Sequence, residues 1–263
     1  MTYHTVLYDV ACGVATVTLN RPEKLNALND TLADEIQEAV RSADADDSVR
    51  VIVLIGAGKG FCSGLDLTGP RNTGNETTRK QRLDDFGWVG RAPLLLTTID
   101  KPVIAAINGP AAGAGLSLAL AADIRVIAEG TRLTTGYIRR GLSPDGGMTF
   151  LLPRIVGQAR AAELILTSRW LEADECVRIG LAARMMPAEG FREGVAEYAS
   201  GFASGPPIAL TYSKRLLVQS MTADMPTMLR AELVNIRTCF GTDDVQEGIR
   251  AFAEKREAKF SGR

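Results

Sequence analysis

The sequence predicts an α/β core followed by a helical C-terminal region used for association, on three observations. Short β-branched and apolar runs alternate with segments of helical spacing through the first part of the chain. From Gly157 onward the hydrophobic pattern is helical only. A length of 263 residues with 46% hydrophobic content can bury one substantial core. The core is assigned to residues 1–200 and the oligomerisation region to 201–263.

Thr5 to Asp9 and Val14 to Leu19 flank Ala11-Cys12-Gly13, a turn signal, and predict a hairpin. Asn20 to Leu28 is a loop, from which Lys24 points into solvent or toward an anion. Asn29-Asp30 caps a helix with Leu32, Ile36, Ala39 and Val40 on one face. Val51 to Ile55 is a buried strand that runs into a glycine-supported loop, Gly56 to Leu67. The glycines there satisfy neither the P-loop nor the G-x-G-x-x-G spacing, and Phe61 stands where a G-x-S-x-G elbow needs glycine. What remains is a loop able to offer a backbone N–H. Thr68 to Thr78 has no hydrophobic period and is expected to be a mobile surface segment, a lid over a site being one use for it. Leu83 to Ile99 returns to helical spacing and stops at Lys101-Pro102.

The next stretch organises the rest. Val103 to Ile107 reads as buried strand, Asn108-Gly109-Pro110 as a tight turn, and the small residues through Ala119 as a buried helix. Gly113, Ala114 and Gly115 fall in its first turn, where N–H groups lack intrahelical partners and no bulky side chain blocks approach. Two readings fit: a cradle for a developing oxyanion, or a helix packed closely on a sheet. Ile124 to Ala128 is a further core strand, and Leu133 to Met148 a loop ending at a helix start. Within it Asp145, in Pro144-Asp145-Gly146-Gly147, suits either a turn or cap role or acid–base chemistry. Helical patterns follow at 159–166, 172–179, 191–202, 208–218, 226–240 and 244–260.

The formal charge of −1 points away from nucleic acid and anionic membranes, toward small molecules and copies of the chain itself. The start Met1-Thr2-Tyr3-His4 has no basic region leading into an apolar segment, and no later stretch is long and apolar enough to span a bilayer, so a cytoplasmic protein is expected. Cys12, Cys62, Cys176 and Cys239 show no C-x-x-C pairing, which predicts free buried thiols and no metal site. His4 is the only histidine, so imidazole-based nucleophilic catalysis is removed and acid–base work falls to carboxylates, Tyr or Lys.

Five stretches, taken in order and spacing, resemble the crotonase (enoyl-CoA hydratase/isomerase) superfamily over nearly the whole chain. They are Asn20-Arg21-Pro22 with Asn26-Ala27-Leu28, Gly60 to Leu67, Ile107 to Gly115, Gly141 to Gly147, and Ala251 to Arg256. The resemblance implies a crotonase-like spiral of ββα units with a C-terminal helical trimerisation region, assembled as a trimer or a dimer of trimers. It implies an acyl-CoA substrate with no separate cofactor, its thioester oxygen held by the backbone N–H groups of Leu65 and Ala114. By the same resemblance the substrate-binding positions are Lys24, Ala27, Ser63, Asp66, Leu67, Gly113, Ser117, Tyr137 and Leu142, with Phe252 and Lys255 reaching coenzyme A from a neighbouring subunit. On local pattern alone, Phe252 and Lys255 equally suit an amphipathic helix with a core aromatic and a solvated lysine. Hydratases of the family use two glutamates where this chain has Ser117 and Tyr137, whereas isomerases of the family keep an acid where it has Asp145. Related dehalogenases use that Asp as a nucleophile together with a histidine, and His4 is poorly placed for it. The expected reaction is double-bond isomerisation of an enoyl-CoA with Asp145 as acid and base. The alternatives are a 2-enoyl-CoA hydratase or hydrolase variant and a non-catalytic acyl-CoA-binding protein. The acyl group is expected to be read by Trp88, Val89, Leu94, Tyr137, Leu142 and the segment 68–78.

Overall fold

A computed structural model describes residues 3–68, 79 and 83–263. Apart from Thr68, the expected surface segment 68–78 lies outside the described residues.

The chain opens with strands β1 (Val6–Ala11) and β2 (Val14–Leu19), an antiparallel hairpin in register from Val6 opposite Leu19 to Ala11 opposite Val14. Cys12 and Gly13 turn it with φ of 50° and 78°. Two positive φ values in succession give the twist that a two-residue hairpin needs. The thiol of Cys12 is therefore exposed at a loop tip, contrary to the expectation that all four cysteines are buried; the other three are. Alkylation of the native protein with iodoacetamide is expected to label Cys12 alone within minutes, read by peptide mass spectrometry. Burial raises the Cys62 and Cys176 thiols to about 12, leaving almost no thiolate to react at neutral pH.

Helix α1 (Asp30–Ala45) starts where the Asn29 side chain accepts the Leu32 N–H at 2.9 Å. Its face of Leu32, Ile36, Val40 and Ala43 is buried, each large side chain contributing roughly 1.5–3 kcal/mol. Strand β3 (Val51–Gly56) follows, then helix α2 (Gly87–Thr98) and strand β4 (Val103–Ile107). Helix α2 begins four residues later than the spacing from Leu83 suggests. The Asp84 carboxylate accepts the N–H groups of Phe86 and Gly87 and pairs with Arg91, holding a turn in front of the helix.

Next come β5 (Ala111–Ala112), α3 (Ala114–Leu120), β6 (Ile124–Ala128), β7 (Arg132–Thr134), α4 (Met148–Val156), α5 (Gln158–Thr167), β8 (Leu171–Glu172), α6 (Ala173–Arg178) and β9 (Arg184–Met186). The chain closes with α7 (Phe191–Ala203), α8 (Pro207–Ser220), α9 (Met225–Phe240) and α10 (Asp243–Glu254). The main sheet has order β1-β2-β3-β4-β6-β9, parallel except for the hairpin, and a smaller sheet has order β5-β7-β8.

Both faces of the main sheet are covered. In β3, Ile52 and Leu54 join the large core under α1, α2 and α3, while Val51, Val53 and Ile55 join a second core with Phe191, Val195 and Ala199 of α7. Two-sided burial is why β3 and β4 read as unbroken apolar runs.

The region beyond Gly157 is not helical only. Leu171–Glu172 and Arg184–Met186 are strands, as are Ala111–Ala112 and Arg132–Thr134 in stretches read as helix start and loop. Two or three residues carry no period that a sequence pattern can show. The last helix also stops short of Phe260: Lys255 has φ 54°, and the tail turns back so that Ser261 and Gly262 donate to the Asp244 carboxylate. Helix α8 is tied to the core by Lys214, whose buried ammonium pairs with Asp123 at 2.8 Å and donates to the carbonyls of Leu96 and Lys101. Burial pushes its pKa down, and the neighbouring Asp123 opposes this.

Candidate active site

Two loops at the carboxyl ends of β3 and β4 meet to form the site. The loop after β3 is held by two asparagines. Asn26 is fully buried with φ 55°; its Oδ1 accepts the Arg21 N–H and its Nδ2 donates to the carbonyls of Ala57 and Gly60. Asn108 accepts the Gly56 N–H at 2.9 Å and donates to Gly58. These bonds satisfy the loop's main chain and fix where it leaves the sheet.

Beyond that point the two loops run side by side. The N–H groups of Phe61 and Cys62 donate to the Pro110 carbonyl, and Ala112 N–H donates to the Cys62 carbonyl at 3.0 Å. Closeness depends on Gly115: a Cβ there would lie 2.2 Å from the Cys62 carbonyl oxygen and 2.7 Å from its Sγ. Gly64, with φ +92°, has its own Cβ position 3.6 Å from the Ala114 nitrogen, so the Gly64–Leu65 turn abuts the start of α3. Gly113, at φ 52° and ψ −126°, makes the turn into that helix in a conformation that favours glycine.

The result is a pair of amides without protein acceptors. Leu28 N–H donates to Gly64 O and Asp66 N–H to Leu28 O, bracketing Leu65, while Gly113 N–H donates to Thr134 O just ahead of Ala114. Among the described residues, neither the Leu65 nor the Ala114 N–H has a hydrogen-bond acceptor. Both residues line one cavity of about 210 Å³.

Tyr137, Leu142 and Asp145 line the same cavity. The Tyr137 hydroxyl donates to Asp145 Oδ1 at 2.6 Å, and Ser117 Oγ donates to the Asp145 carbonyl at 3.1 Å. Burial, then its bond to the Asp145 carboxylate, raises the Tyr137 pKa beyond the ordinary phenol range, so it is a neutral donor at neutral pH. Asp145 is itself exposed at the rim and is the only carboxylate among the described residues lining the cavity. Among those residues no group of His, Cys, Asp and Glu is arranged to hold a metal ion.

Of the positions singled out from sequence, Ser63, Leu65, Leu67, Gly113, Ala114, Tyr137, Leu142 and Asp145 are brought together around this cavity. Ser117 is fully buried behind it, against Tyr137 and Asp145. Lys24, Ala27 and Asp66 do not line it. Lys24 is exposed and donates to Thr68 at 3.3 Å, and the Ala27 carbonyl accepts from Arg21. The Asp66 carboxylate accepts from Thr68 and pairs with Arg21 at 2.8 Å; those bonds hold it far below the usual carboxylate range. Phe252, at 89% exposure, and Lys255 are on the last helix and its end, outside the cavity of their own chain. Val89 lines the cavity, while Trp88 lines an adjoining apolar pocket shared with Val89 and Ala114. Leu94 is exposed and lines neither. Sequence reasoning missed Ala112, Gly136, Arg140 and Ser143, which also line the cavity; a cation or small residue in a loop gives no signal of where it will face.

A model of the enoyl-CoA hydratase/isomerase family matches residues 9–263. The chain is 36% identical over 263 residues to the 1,2-epoxyphenylacetyl-CoA isomerase of Escherichia coli K12, covering 98% of each. It is 34% identical over 259 residues to the short-chain-enoyl-CoA hydratase of Clostridium acetobutylicum, covering 98% of this chain and 97% of the other. The crystal structure of an enoyl-CoA hydratase from Bacillus anthracis superposes with a TM-score of 0.91 at 32% identity, covering 99% of this chain and all of that one. With its fold and a family match over almost its full length, the chain belongs to the enoyl-CoA hydratase/isomerase family of crotonase-fold enzymes.

Proposed function

We propose that the enzyme relocates a double bond within an acyl-CoA by proton transfer through Asp145. The observation that carries this reading is that two acceptor-free amides and the one carboxylate among the described lining residues share a cavity. Removal of a proton from the carbon next to a thioester puts charge on the thioester oxygen. The N–H groups of Leu65 and Ala114 supply two fixed donors for it, and such a donor is typically worth about 2.7–4 kcal/mol. Asp145 takes the proton and returns it further along the chain, so one carboxylate suffices.

Hydration asks for more: one group to deprotonate water and another to protonate carbon. Where the family's hydratases have two glutamates, this chain has Ser117 and Tyr137, and the Tyr137 phenol is a donor to Asp145 rather than a base. A relative named as an isomerase of an epoxyphenylacetyl-CoA supports isomerisation of a CoA thioester as the class of reaction. In this reading Lys24 and the segment from Ala27 follow the coenzyme A moiety, and the exposed Phe252 with Lys255 completes that site on a neighbouring subunit of a trimer or a pair of trimers.

The hydratase names of other relatives favour a second reading, hydration of 2-enoyl-CoA. One ultraviolet assay separates the two. Isomerisation of a 3-enoyl-CoA makes the absorption of the conjugated thioester grow; hydration of a 2-enoyl-CoA makes it fall. Growth with the first substrate and no fall with the second is the expected result.

A further inference from the structure

Resting on the isomerase reading, we infer that Tyr137 is a positioning residue: its phenol holds Oδ1 of Asp145 and leaves Oδ2 as the atom that meets the acyl chain. The two carboxylate oxygens are not equivalent. Oδ1 accepts from Tyr137 at 2.6 Å, whereas Oδ2 has no hydrogen-bond partner among the described residues. The main chain of the same residue is held as well, because the fully buried Ser117 donates to the Asp145 carbonyl and lies 3.4 Å from the Tyr137 hydroxyl.

Close packing keeps this arrangement in register. At Gly146, with φ +60°, a Cβ would lie 2.9 Å from Ser117 Cβ and 3.3 Å from Val89 Cγ1, so the chain leaving Asp145 presses on the residue that holds it. Tyr137 itself is only 7% exposed, and its hydroxyl is held between Asp145 Oδ1 and Ser117 Oγ. A carboxylate anchored at one oxygen and at its own carbonyl cannot rotate freely about its side-chain bonds.

The step follows. Oδ2 takes the proton from the α-carbon, the C–H pair enters the enolate, and charge collects on the thioester oxygen at Leu65 and Ala114. The same Oδ2–H then delivers that proton to the γ-carbon as the double bond forms between the α- and β-carbons. No other reactant is consumed. A base held in one place returns the proton it took before solvent exchanges it; a base free to turn outward from the rim loses it.

The test uses 3-enoyl-CoA deuterated at the α-carbon, with deuterium at the γ-carbon of the product read by mass spectrometry and NMR. Wild-type product is expected to retain label there. Tyr137→Phe is expected to lower kcat about 10- to 100-fold with KM within threefold, an unchanged circular dichroism spectrum, and γ-label reduced to background. Wild-type product without γ-label overturns the inference without any variant. A Tyr137→Phe enzyme with wild-type label retention also overturns it, whatever its rate, since loss of shape alone lowers rate without releasing the proton. Absence of any isomerisation by the wild type defeats the underlying reading instead, and this inference with it.

Discussion

Asp145→Asn is expected to reduce isomerisation about 10²- to 10⁴-fold in kcat while acyl-CoA affinity stays within a few-fold of wild type. At 1.36 kcal/mol per tenfold, that is a barrier increase of roughly 3–5 kcal/mol. The substitution is nearly isosteric and preserves an acceptor for the Tyr137 hydroxyl, so the loop from Gly141 to Gly147 keeps its supports. What it removes is the proton acceptor. The cavity holds no other carboxylate among the described residues to take over, and its one phenol is pushed by burial toward staying protonated. Steady-state kinetics with a 3-enoyl-CoA, paired with calorimetric binding of a saturated acyl-CoA, measures both quantities. An unchanged kcat would remove Asp145 from the chemistry.

Gly115→Ala is the second large effect, and it acts on stability and catalysis together. The added methyl would meet the Cys62 carbonyl oxygen at 2.2 Å, a backbone atom already bonded to Ala112 N–H. The nearest atom is backbone and cannot move aside by a side-chain rotation, so the two loops must separate. We expect a loss of about 3 kcal/mol, at the upper end for overpacked sites, and a Tm lowered by roughly 6–12 °C. Separation also spreads the Leu65 and Ala114 amides, so the residual folded enzyme is expected to lose at least tenfold in kcat. Gly201→Ala provides the control. That glycine is exposed within α7 and its added Cβ meets nothing within 4 Å, so stability should rise by up to about 1 kcal/mol with activity unchanged. Calorimetric melting of both variants decides the matter, and equal Tm values would refute the close-approach account.

By itself the sequence determined the elements long enough to show a period. The unbroken apolar runs Val51–Gly56 and Val103–Ile107 announced strands covered on both faces, and the spacing of Leu32, Ile36 and Val40 announced the buried face of α1. The glycines around Gly64 and Gly113 announced places where main chain could be approached closely, without deciding between an oxyanion cradle and a helix packed tightly on the sheet. The ordered set of five motifs identified the family.

Tertiary structure alone decided the rest. Strands of two or three residues exist only because a neighbouring segment supplies their hydrogen bonds, as the loop residue Cys62 does for Ala112, and as β8 does for Arg132 and Leu133. Gly115 was legible as a place of close approach, but only folding showed that the Cys62 backbone is what approaches it. Asp66 and Asp145 are both loop aspartates in sequence. Folding gives one an arginine and a threonine, which hold it in the scaffold, and gives the other a tyrosine on one oxygen and a cavity at its side. A carboxylate's role depends on which donors and how much water reach it, and those are set by residues distant in the chain, not by its neighbours in sequence.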